Sequence, residues 1–461
     1  MLAAVVAEKL RDERLQAALR KSLATVRERM AKARERFEDF AEARTCVATV
    51  RQGSVGRLRQ NLEALEQSLQ AGGTKVLWAA DAQEARFRLA EIARAHKVLR
   101  CVASKTMVGE EVGAEKALRS AGVNVVQTDL GERIVQLAGQ KPSHITAPCL
   151  HLDAQQCGSI LERAAGMPRT ADPEEMCRFV SRTLRDAFAT SDMALSGANM
   201  AIAQTGELVI VENEGNGRSG YTLCPLHVVV TGIDKVVSSR REAAAVLGLL
   251  APSATGQDVT VYTSFLAPEP LPGQTRYVIL VDNGRSAVFA SGPHRELLRC
   301  IRCGGCLNVC PVYERVSGHA YLWTYSGPIG AALAPFMPSG DAATAAPDLC
   351  TLCGACDDVC PAKIPLSRLI ALGRSAANAA RPVEERTHLA RLARWFGRAM
   401  GSGGAYGLSH LGHRILARLR GRMARVESAV GWSGDRLAPR PARRLFRSMF
   451  RAGRRRGRLP L

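Results

Sequence analysis

The N-terminal region, residues 1–71, follows the period of an amphipathic helix. Apolar side chains recur at alternating steps of four and three residues, at Leu19, Leu23, Val26, Met30, Ala33, Phe37 and Phe40. A seam of this kind between charged faces predicts a helix that packs one stripe on another surface. We expect that surface to be the protein's own body, and a coiled coil is the alternative. The glycines at 53 and 56 interrupt the pattern, and a second helix is predicted over 57–70.

Short apolar runs replace this pattern in the next region, residues 72–292. They alternate with helix-like stretches, which indicates βαβ units and a mostly parallel sheet in an α/β domain. The predicted strands are 75–79, 98–102, 123–127, 207–212, 227–231, 259–262 and 277–281, and a helical segment is predicted over 172–190.

Two copies of one cysteine run follow, in residues 293–380. The spacing Cys-x2-Cys-x2-Cys-x3-Cys-Pro places thiols at Cys300, Cys303, Cys306 and Cys310 and again at Cys350, Cys353, Cys356 and Cys360. Bacterial-type ferredoxins use this run, and its fourth cysteine ligates the other cluster. We therefore predict a mainly helical ferredoxin-type module with two [4Fe–4S] clusters. Zinc or disulfides are the alternatives, and a doubled run ending in Cys-Pro disfavours both.

Crossed ligation assigns every thiol of the two runs to one cluster. The first cluster takes Cys300, Cys303, Cys306 and Cys360, and the second takes Cys350, Cys353, Cys356 and Cys310. The remaining six cysteines have no motif spacing, so we expect free thiols. Further helices are expected within 318–330 and over 367–380.

Positive charge is concentrated in the last region, residues 381–461. This segment holds 20 Arg, no Lys and four acids, so 16 of the chain's 20 excess positive charges lie there. We expect a solvated basic extension; a face for acidic lipid headgroups or for an acidic partner is the alternative. Nucleic acid is disfavoured because the segment has no binding motif and few aromatics. No run reaches the roughly 18 apolar residues of a membrane span. We expect a cytoplasmic protein, with a peripheral position at the inner membrane face as the variant.

A ligand-binding crevice is predicted in the α/β domain. Two Gly/Asn-rich segments flank the strand at 207–212, and open α/β sheets bind ligands at such strand ends. The candidate residues are Asn199, Thr205, Glu212, Asn213, Glu214, Gly215, Asn216 and Arg218. Further side chains expected to face it are Ser104, Lys105, Glu132, His144 and residues 282–285. An ordinary surface turn is the equally weighted alternative. No nucleotide-binding fingerprint is present, and no catalytic residue is assigned.

These segments carry a resemblance to a known family. Residues 104–107, 128–132, 142–144, 197–199, 213–218 and 281–285 resemble the lactate-utilisation (LUD) domain. Together with 299–311 and 352–356, their order resembles lactate utilisation protein B. The resemblance implies a fold similar to the sugar-phosphate isomerase and CoA-transferase-like α/β group.

The resemblance also implies a function. It suggests a non-catalytic iron–sulfur electron-transfer subunit of an L-lactate oxidation complex that forms pyruvate. The implied partners are a cysteine-rich subunit related to glycolate-oxidase and heterodisulfide-reductase components, and a small LUD-only subunit. The alternatives are a subunit acting on a related 2-hydroxy acid such as glycolate, and a ligand-sensing LUD protein with regulatory clusters.

Cluster ligation gives a direct prediction. Replacing Cys303 with Ser removes one of four thiolates from the first cluster only, so the protein should lose one cluster's share of iron. Iron is measured in protein purified without oxygen. Unchanged iron content in the variant would contradict the assigned ligand set.

Overall fold

The computed structural model describes residues 2–338, 340, 343–380 and scattered positions between 391 and 408. It contains two compact units, Met1–Ser375 and Ala376–Leu461. The prediction of a basic extension over 381–461 falls almost entirely outside the described residues. Among the described residues, no helix combines the length and hydropathy that a membrane crossing requires.

Helices supply most of the regular structure. The α-helices are α1 Leu2–Arg11, α2 Glu13–Arg34, α3 Phe40–Gly56, α4 Leu58–Ala71, α5 Ala82–Ala95, α6 Met107–Val112, α7 Ala114–Ser120, α8 Leu130–Leu137, α9 Ala154–Ala165, α10 Pro173–Thr190, α11 Asn216–Leu223, α12 Arg240–Ala254, α13 Arg285–Ala290, α14 Gly305–Asn308, α15 Tyr313–Val316, α16 Gly327–Leu333, α17 Ala355–Val359 and α18 Leu366–Ala380. Short 3-10 helices lie at Ile233–Lys235, Gly292–Arg299, Gly318–Tyr321 and Ala343–Leu349. Helices in the 318–330 insert and over 367–380 are thereby confirmed.

The strands form two sheets. They are β1 Lys75–Ala79, β2 Arg100–Ala103, β3 Asn124–Gln127, β4 Met193–Ser196, β5 Met200–Ile202, β6 Leu208–Glu212, β7 Leu226–Gly232, β8 Val236–Val237, β9 Tyr262–Leu266 and β10 Thr275–Val281. The six-stranded sheet has the order β1-β10-β7-β4-β2-β3, and all its pairs are parallel. The four-stranded sheet has the order β8-β5-β6-β9, with antiparallel pairing of β6 to both neighbours. The mostly parallel α/β architecture is therefore confirmed.

The large sheet is buried on both faces. Alternate residues of β7 point to opposite sides, as the strand period requires. Leu226, Val228 and Val230 pack with α5, α6 and α7, while Val229 packs with α4 on the other face. Parallel sheets covered on both faces read as continuous apolar runs. This is why the sequence revealed β7 and β10 clearly.

Three expectations were wrong in detail. The seam from Leu19 to Phe40 is broken, because α2 ends at Arg34 and Asp39 caps the start of α3. Helix α3 continues to Gly56, since Arg51, Ser54 and Val55 are buried and this packing outweighs the low helix propensity of glycine. The buried stripe of α2 does pack on the protein's own body.

The third error concerns the strand predicted over 259–262. Strand β9 pairs with β6 only from Tyr262 to Leu266. The side chains of Val259 and Val261 are 77% and 62% exposed, and the amide of Val261 donates to Asn213 Oδ1 at 3.1 Å. Strands β4, β5 and β8 had not been predicted, because two to four apolar residues carry too little periodic signal.

One buried histidine makes the fold sensitive to acid. His227 on β7 is fully buried, its Nε2 lies 2.7 Å from Ser196 Oγ, and burial lowers its pKa to about 3. The unfolded chain takes up a proton near pH 6.5, where the folded imidazole stays neutral. His227 therefore costs stability progressively as the pH falls from about 6.5 toward 3.

We expect His227→Gln to weaken this pH dependence. Between pH 6.5 and 5, the free energy of unfolding of wild type should fall more steeply than that of the variant, by up to about 1.4 kcal/mol per pH unit. Denaturant titrations at several pH values measure the slopes. His96→Gln, made on the surface, controls for the loss of an imidazole. Equal slopes for wild type and His227→Gln would show that this residue does not cause the acid sensitivity.

Candidate functional site

The two cysteine runs share one backbone geometry. Arg302 and Leu352, each two residues after a first cysteine, have left-handed φ angles of 58° and 57°. This conformation points the Arg302 amide at Cys300 Sγ at 3.4 Å and the Leu352 amide at Cys350 Sγ at 3.3 Å. Amides aimed at sulfur stabilise the negative charge of a ligated cluster and raise its potential.

The repetition extends through each run. Gly304 and Gly354 have φ angles of 77° and 81°, and each begins a short helix, α14 and α17. The last thiols also receive amides, from Tyr313 to Cys310 Sγ and from Ile364 to Cys360 Sγ, both at 3.4 Å. The sequence repeat is thus a structural repeat in which backbone donors face the sulfurs.

The fourth cysteine of the second run lies with the first run. The thiols of the first predicted ligand set line one small cavity, and they are Cys300, Cys303, Cys306 and Cys360. In the second set, burial raises the pKa of Cys310 and of Cys356, and Cys350 adds electrostatically to both shifts. The four thiols of the first predicted set therefore lie around one cavity, and the second set stays a prediction.

The donor set suits an iron–sulfur cluster. Burial raises the pKa of the Cys360 thiol to about 11, so a nearby positive metal is needed to keep it ionised at neutral pH. No three His, Cys, Asp or Glu side chains within the described residues form a single-ion site. A cubane does not need such convergence, because its four thiolates bind four separate irons.

The two loops differ in what covers them. Arg302 is buried, whereas its counterpart Leu352 is 42% exposed. Cys303 is 8% exposed, and its counterpart Cys353 is classed as exposed. The α/β domain covers the first loop, since a side chain on Gly304 would come within 3.2 Å of His144. Two loops with the same backbone conformation thus lie in different environments, the first in the interior and the second at the surface.

A cavity of about 300 Å³ separates the strand ends of the α/β domain from the first cysteine loop. Side chains that follow β2, β4 and β6 line it, as expected at the carboxyl ends of strands in α/β folds. Its apolar lining includes Met107, Ile145, Leu250 and Ile301, and Cys303 lies at its cluster side.

The cavity contains most of the predicted crevice. Its lining includes the candidates Asn199, Glu212, Asn213, Glu214 and Asn216, and the additional residues Ser104 and Lys105. Glu132 lies beside it and pairs with Lys105; burial raises the pKa of this carboxyl. His144 packs against the first cysteine loop.

Other predicted residues lie apart from the lining. Thr205 donates to Glu207 Oε2 at 2.8 Å. Arg218 stacks over the ring of Tyr262 at 5.5 Å, and Gly215 precedes α11 in a left-handed conformation. Asn283 and Arg285 belong to a buried network around Glu111, whereas the Asp282 carboxylate accepts from the amide of Ser286 at 2.7 Å.

That network connects the two domains. Arg285 donates to Glu111 at 2.7 and 2.8 Å and to Asp234 at 2.5 Å, and these side chains are at most 1% exposed. Tyr325 of the cysteine module donates to Glu111 at 2.6 Å, and Arg302 lies 3.5 Å from Asp234. Burial alone would raise the pKa of Asp234, but Arg285 and the neighbouring cations hold it below its ordinary value.

Two residues of this region were missed by sequence reasoning. Lys235 lines the cavity, and burial lowers its pKa to about 7 although Asp234 favours its charged form. Arg51 of α3 is buried and donates to the carbonyls of Val236 and Leu298 at 2.9 Å. Neither lies in a motif, so only burial could have revealed them.

Fold and site together define an iron–sulfur protein in which a LUD domain is joined to a dicluster module. The LUD domain family model matches residues 62–287, and the 4Fe-4S dicluster domain model matches residues 296–364. The chain belongs to the lactate utilization protein B family. The resemblance inferred from the motifs is thereby confirmed, as is an iron–sulfur protein of lactate utilization.

Named relatives cover most of the chain. Lactate utilization protein B of Bacillus pumilus (strain SAFR-032) is 33% identical over 97% of this chain and 96% of its own length. The same-named protein of Bacillus licheniformis is 36% identical over 79% of this chain and 78% of its own. An uncharacterized electron transport protein, YkgF of Escherichia coli (strain K12), is 36% identical over 76% of each.

A solved structure is also similar. A DUF162 family protein from Deinococcus radiodurans is 13% identical and covers 49% of this chain and 97% of its own, with a TM-score of 0.26. That likeness is too distant to carry an argument about the site.

The ion network predicts a large difference between two arginines. Arg285→Met leaves Glu111 and Asp234 buried without their main partner, and loss of one partner from a buried pair costs about 3–5 kcal/mol. Arg240 pairs with Glu207 but is 69% exposed, so solvent screens the pair and Arg240→Met should lower the free energy of unfolding much less than Arg285→Met does. Denaturant unfolding measures both changes. Losses of similar size in the two variants would mean that the network does not stabilise the fold.

Proposed function

We propose that this chain is the electron-transfer subunit of an L-lactate oxidation system. Two [4Fe–4S] clusters, held by the crossed cysteine sets, would supply one-electron transfer between lactate oxidation and an acceptor. Support comes from the match to a 4Fe-4S dicluster domain and from relatives named for lactate utilization and electron transport. A further argument is that the two equivalent cysteine loops are buried to different degrees.

This asymmetry carries the proposal. Cys303 faces the internal cavity, whereas Cys353 and Leu352 face solvent. If the clusters served only to stabilise the fold, exposing one of them to solvent would bring no advantage. A chain that relays electrons needs one centre near the donor side and another that a partner can approach. We assign the donor side to the cavity and the acceptor side to the exposed loop.

The buried cations favour electron arrival at the first loop. Arg302 has its guanidinium 4.5 Å from the centroid of the Tyr325 ring, and Arg51 and Lys235 are also buried near Cys300. Positive charge in a poorly screened interior stabilises a cluster that gains an electron. At the second loop, Leu352 carries no charge, and the Arg374 guanidinium that donates to the Cys350 carbonyl belongs to a side chain that is 23% exposed and so better screened.

The proposed complex includes two further subunits. A cysteine-rich subunit related to glycolate-oxidase and heterodisulfide-reductase components and a small LUD-only subunit would complete the lactate-oxidising system. Oxidation of a 2-hydroxy acid releases two electrons, and two one-electron centres can receive them in turn. We place the protein in the cytoplasm. The 2-hydroxy acid glycolate, in place of lactate, is the alternative substrate.

The electron-transfer proposal is tested by reducing the clusters with substrate. When the chain and both partner subunits are combined without oxygen, L-lactate should bleach the broad visible absorption of the oxidised clusters. The chain without partners, given the same lactate, is the control and should stay oxidised. Glycolate in a parallel sample identifies the alternative substrate.

One outcome would refute the proposal. The clusters would remain oxidised with lactate or glycolate in the complete complex, although dithionite reduces them. That result would favour the sensing alternative, in which the clusters are regulatory.

A further inference from the structure

The cavity between the α/β domain and the first cysteine loop has an unusual charge arrangement. Lys235 and Arg302 both line it, and they are only 6% and 9% exposed. Within the described residues, Lys235 Nζ and the Nε and Nη1 atoms of Arg302 have no hydrogen-bond acceptor. Burying charged donors without acceptors is costly, so an anion that enters the cavity would be strongly favoured.

Nearby carboxylates do not satisfy these donors. Asp234 Oδ1 accepts a hydrogen bond from Arg285 Nε, and Asp234 Oδ2 lies 3.5 Å from Arg302 Nη2 without a hydrogen bond. Glu111 is occupied by Arg285, Asn283 and Tyr325. The cations on the cavity side of the network therefore retain donors for a ligand.

The acids at the other end of the cavity are already engaged. Glu212 accepts from the amides of Gly217 and Arg218 at 2.7 and 2.8 Å, which caps helix α11. Glu214 accepts from the amide of Leu130 at 3.3 Å. These acids accept from backbone amides at helix starts, whereas Lys235 Nζ and Arg302 Nε and Nη1 have no acceptor in the part of the chain that the structure describes. The cavity thus has one end with free positive donors, next to Cys303.

The size and remaining lining restrict the ligand further. A volume of about 300 Å³ is at the lower limit of ligand pockets. Apolar contacts from Met107, Ile145, Leu250 and Ile301 suit a short hydrocarbon part, and Asn199 supplies a polar amide. Guanidinium groups bind carboxylates through parallel hydrogen bonds. A small organic acid matches all three features.

We propose that this cavity is a binding site for a small carboxylate of the 2-hydroxy or 2-oxo acid class, held by Lys235 and Arg302. The choice of acid class rests on the proposed function, whereas the anion site rests on the two buried cations alone. The site would place the ligand beside the first cysteine loop. The LUD domain would then be a ligand-binding part of the electron-transfer chain.

The test is direct binding to the full chain with its clusters, without partner subunits. Isothermal titration under anaerobic conditions uses L-lactate, pyruvate, inorganic phosphate and the neutral analogue lactamide. We expect lactate or pyruvate to bind with one site per chain and lactamide not to bind. Tighter binding of phosphate than of either acid would overturn the carboxylate class.

Matched variants separate this site from nonspecific charge. Lys235→Met should weaken carboxylate binding at least about tenfold, the loss expected for one charge-assisted hydrogen bond. Lys116→Met makes the same chemical change on the exposed face of α7 and should leave binding unchanged. Arg302→Leu places in the first loop the residue that stands at the equivalent position of the second loop. Leucine should therefore tolerate the left-handed backbone conformation of residue 302. This variant too should weaken binding, and iron content confirms that each variant keeps its clusters.

Several results would overturn the site. They are no binding by wild type at millimolar acid, equal binding of lactamide, or equal affinity in Lys235→Met and Lys116→Met. The last result would mean that the buried cations serve the clusters alone. The proposals remain distinguishable, because binding needs no electron transfer. Intact binding with clusters that lactate cannot reduce would refute only the electron-transfer function.

Discussion

The pairing of Arg285 with Glu111 and Asp234 is the interaction on which the rest of this structure depends. These three charges come from α13, α6 and the turn after β7, so they join separate parts of the α/β domain. The cysteine module enters the same network through Tyr325 and Arg302. A buried carboxylate without its partner is costly, and the chain must therefore bring these elements together to fold. As a consequence, the first cysteine loop has a defined position against the strand ends.

That position makes two equivalent loops unequal. The amides of Arg302 and Leu352 point at their sulfurs with nearly the same geometry, so the local contribution to cluster chemistry is the same in both runs. The difference comes from the surroundings, because Arg302 is buried in the first loop whereas Leu352 and Cys353 are exposed in the second. Burial and nearby charge are among the factors that set iron–sulfur potentials. A duplicated motif thus acquires an inner and an outer member through tertiary packing.

Sequence reasoning reached the features that are encoded locally. Cysteine spacing, the apolar runs of β7 and β10 and the polar segment around Glu212 each carry their signal within a few residues. Lys235 was missed, because a single lysine after a strand is usually exposed and only the fold buries it. Arg285 was expected to face a ligand, as polar groups after strands often do. In the structure it pairs with carboxylates from distant segments, and no local pattern in the sequence indicates such a contact. The short strand β4 was missed for lack of periodicity.

The free donors of Lys235 and Arg302 also satisfy two physical demands at once. Coulomb attraction acts over several ångströms, so these cations can stabilise thiolate and cluster charge without touching a sulfur. Hydrogen bonding is directional and short, so the same groups keep donors for an anion in the cavity. If Asp234 accepted from all of them, the interior charge would be neutralised and the cavity would have no reason to bind an acid. Because these donors remain unpaired, an anion bound to them would also change the electrostatic environment of the first cysteine loop. At the second loop, Leu352 stands in place of Arg302 and is 42% exposed, and the Arg374 guanidinium donates to the carbonyls of Pro347 and Cys350. These two residues therefore do not reproduce the anion site of the first loop.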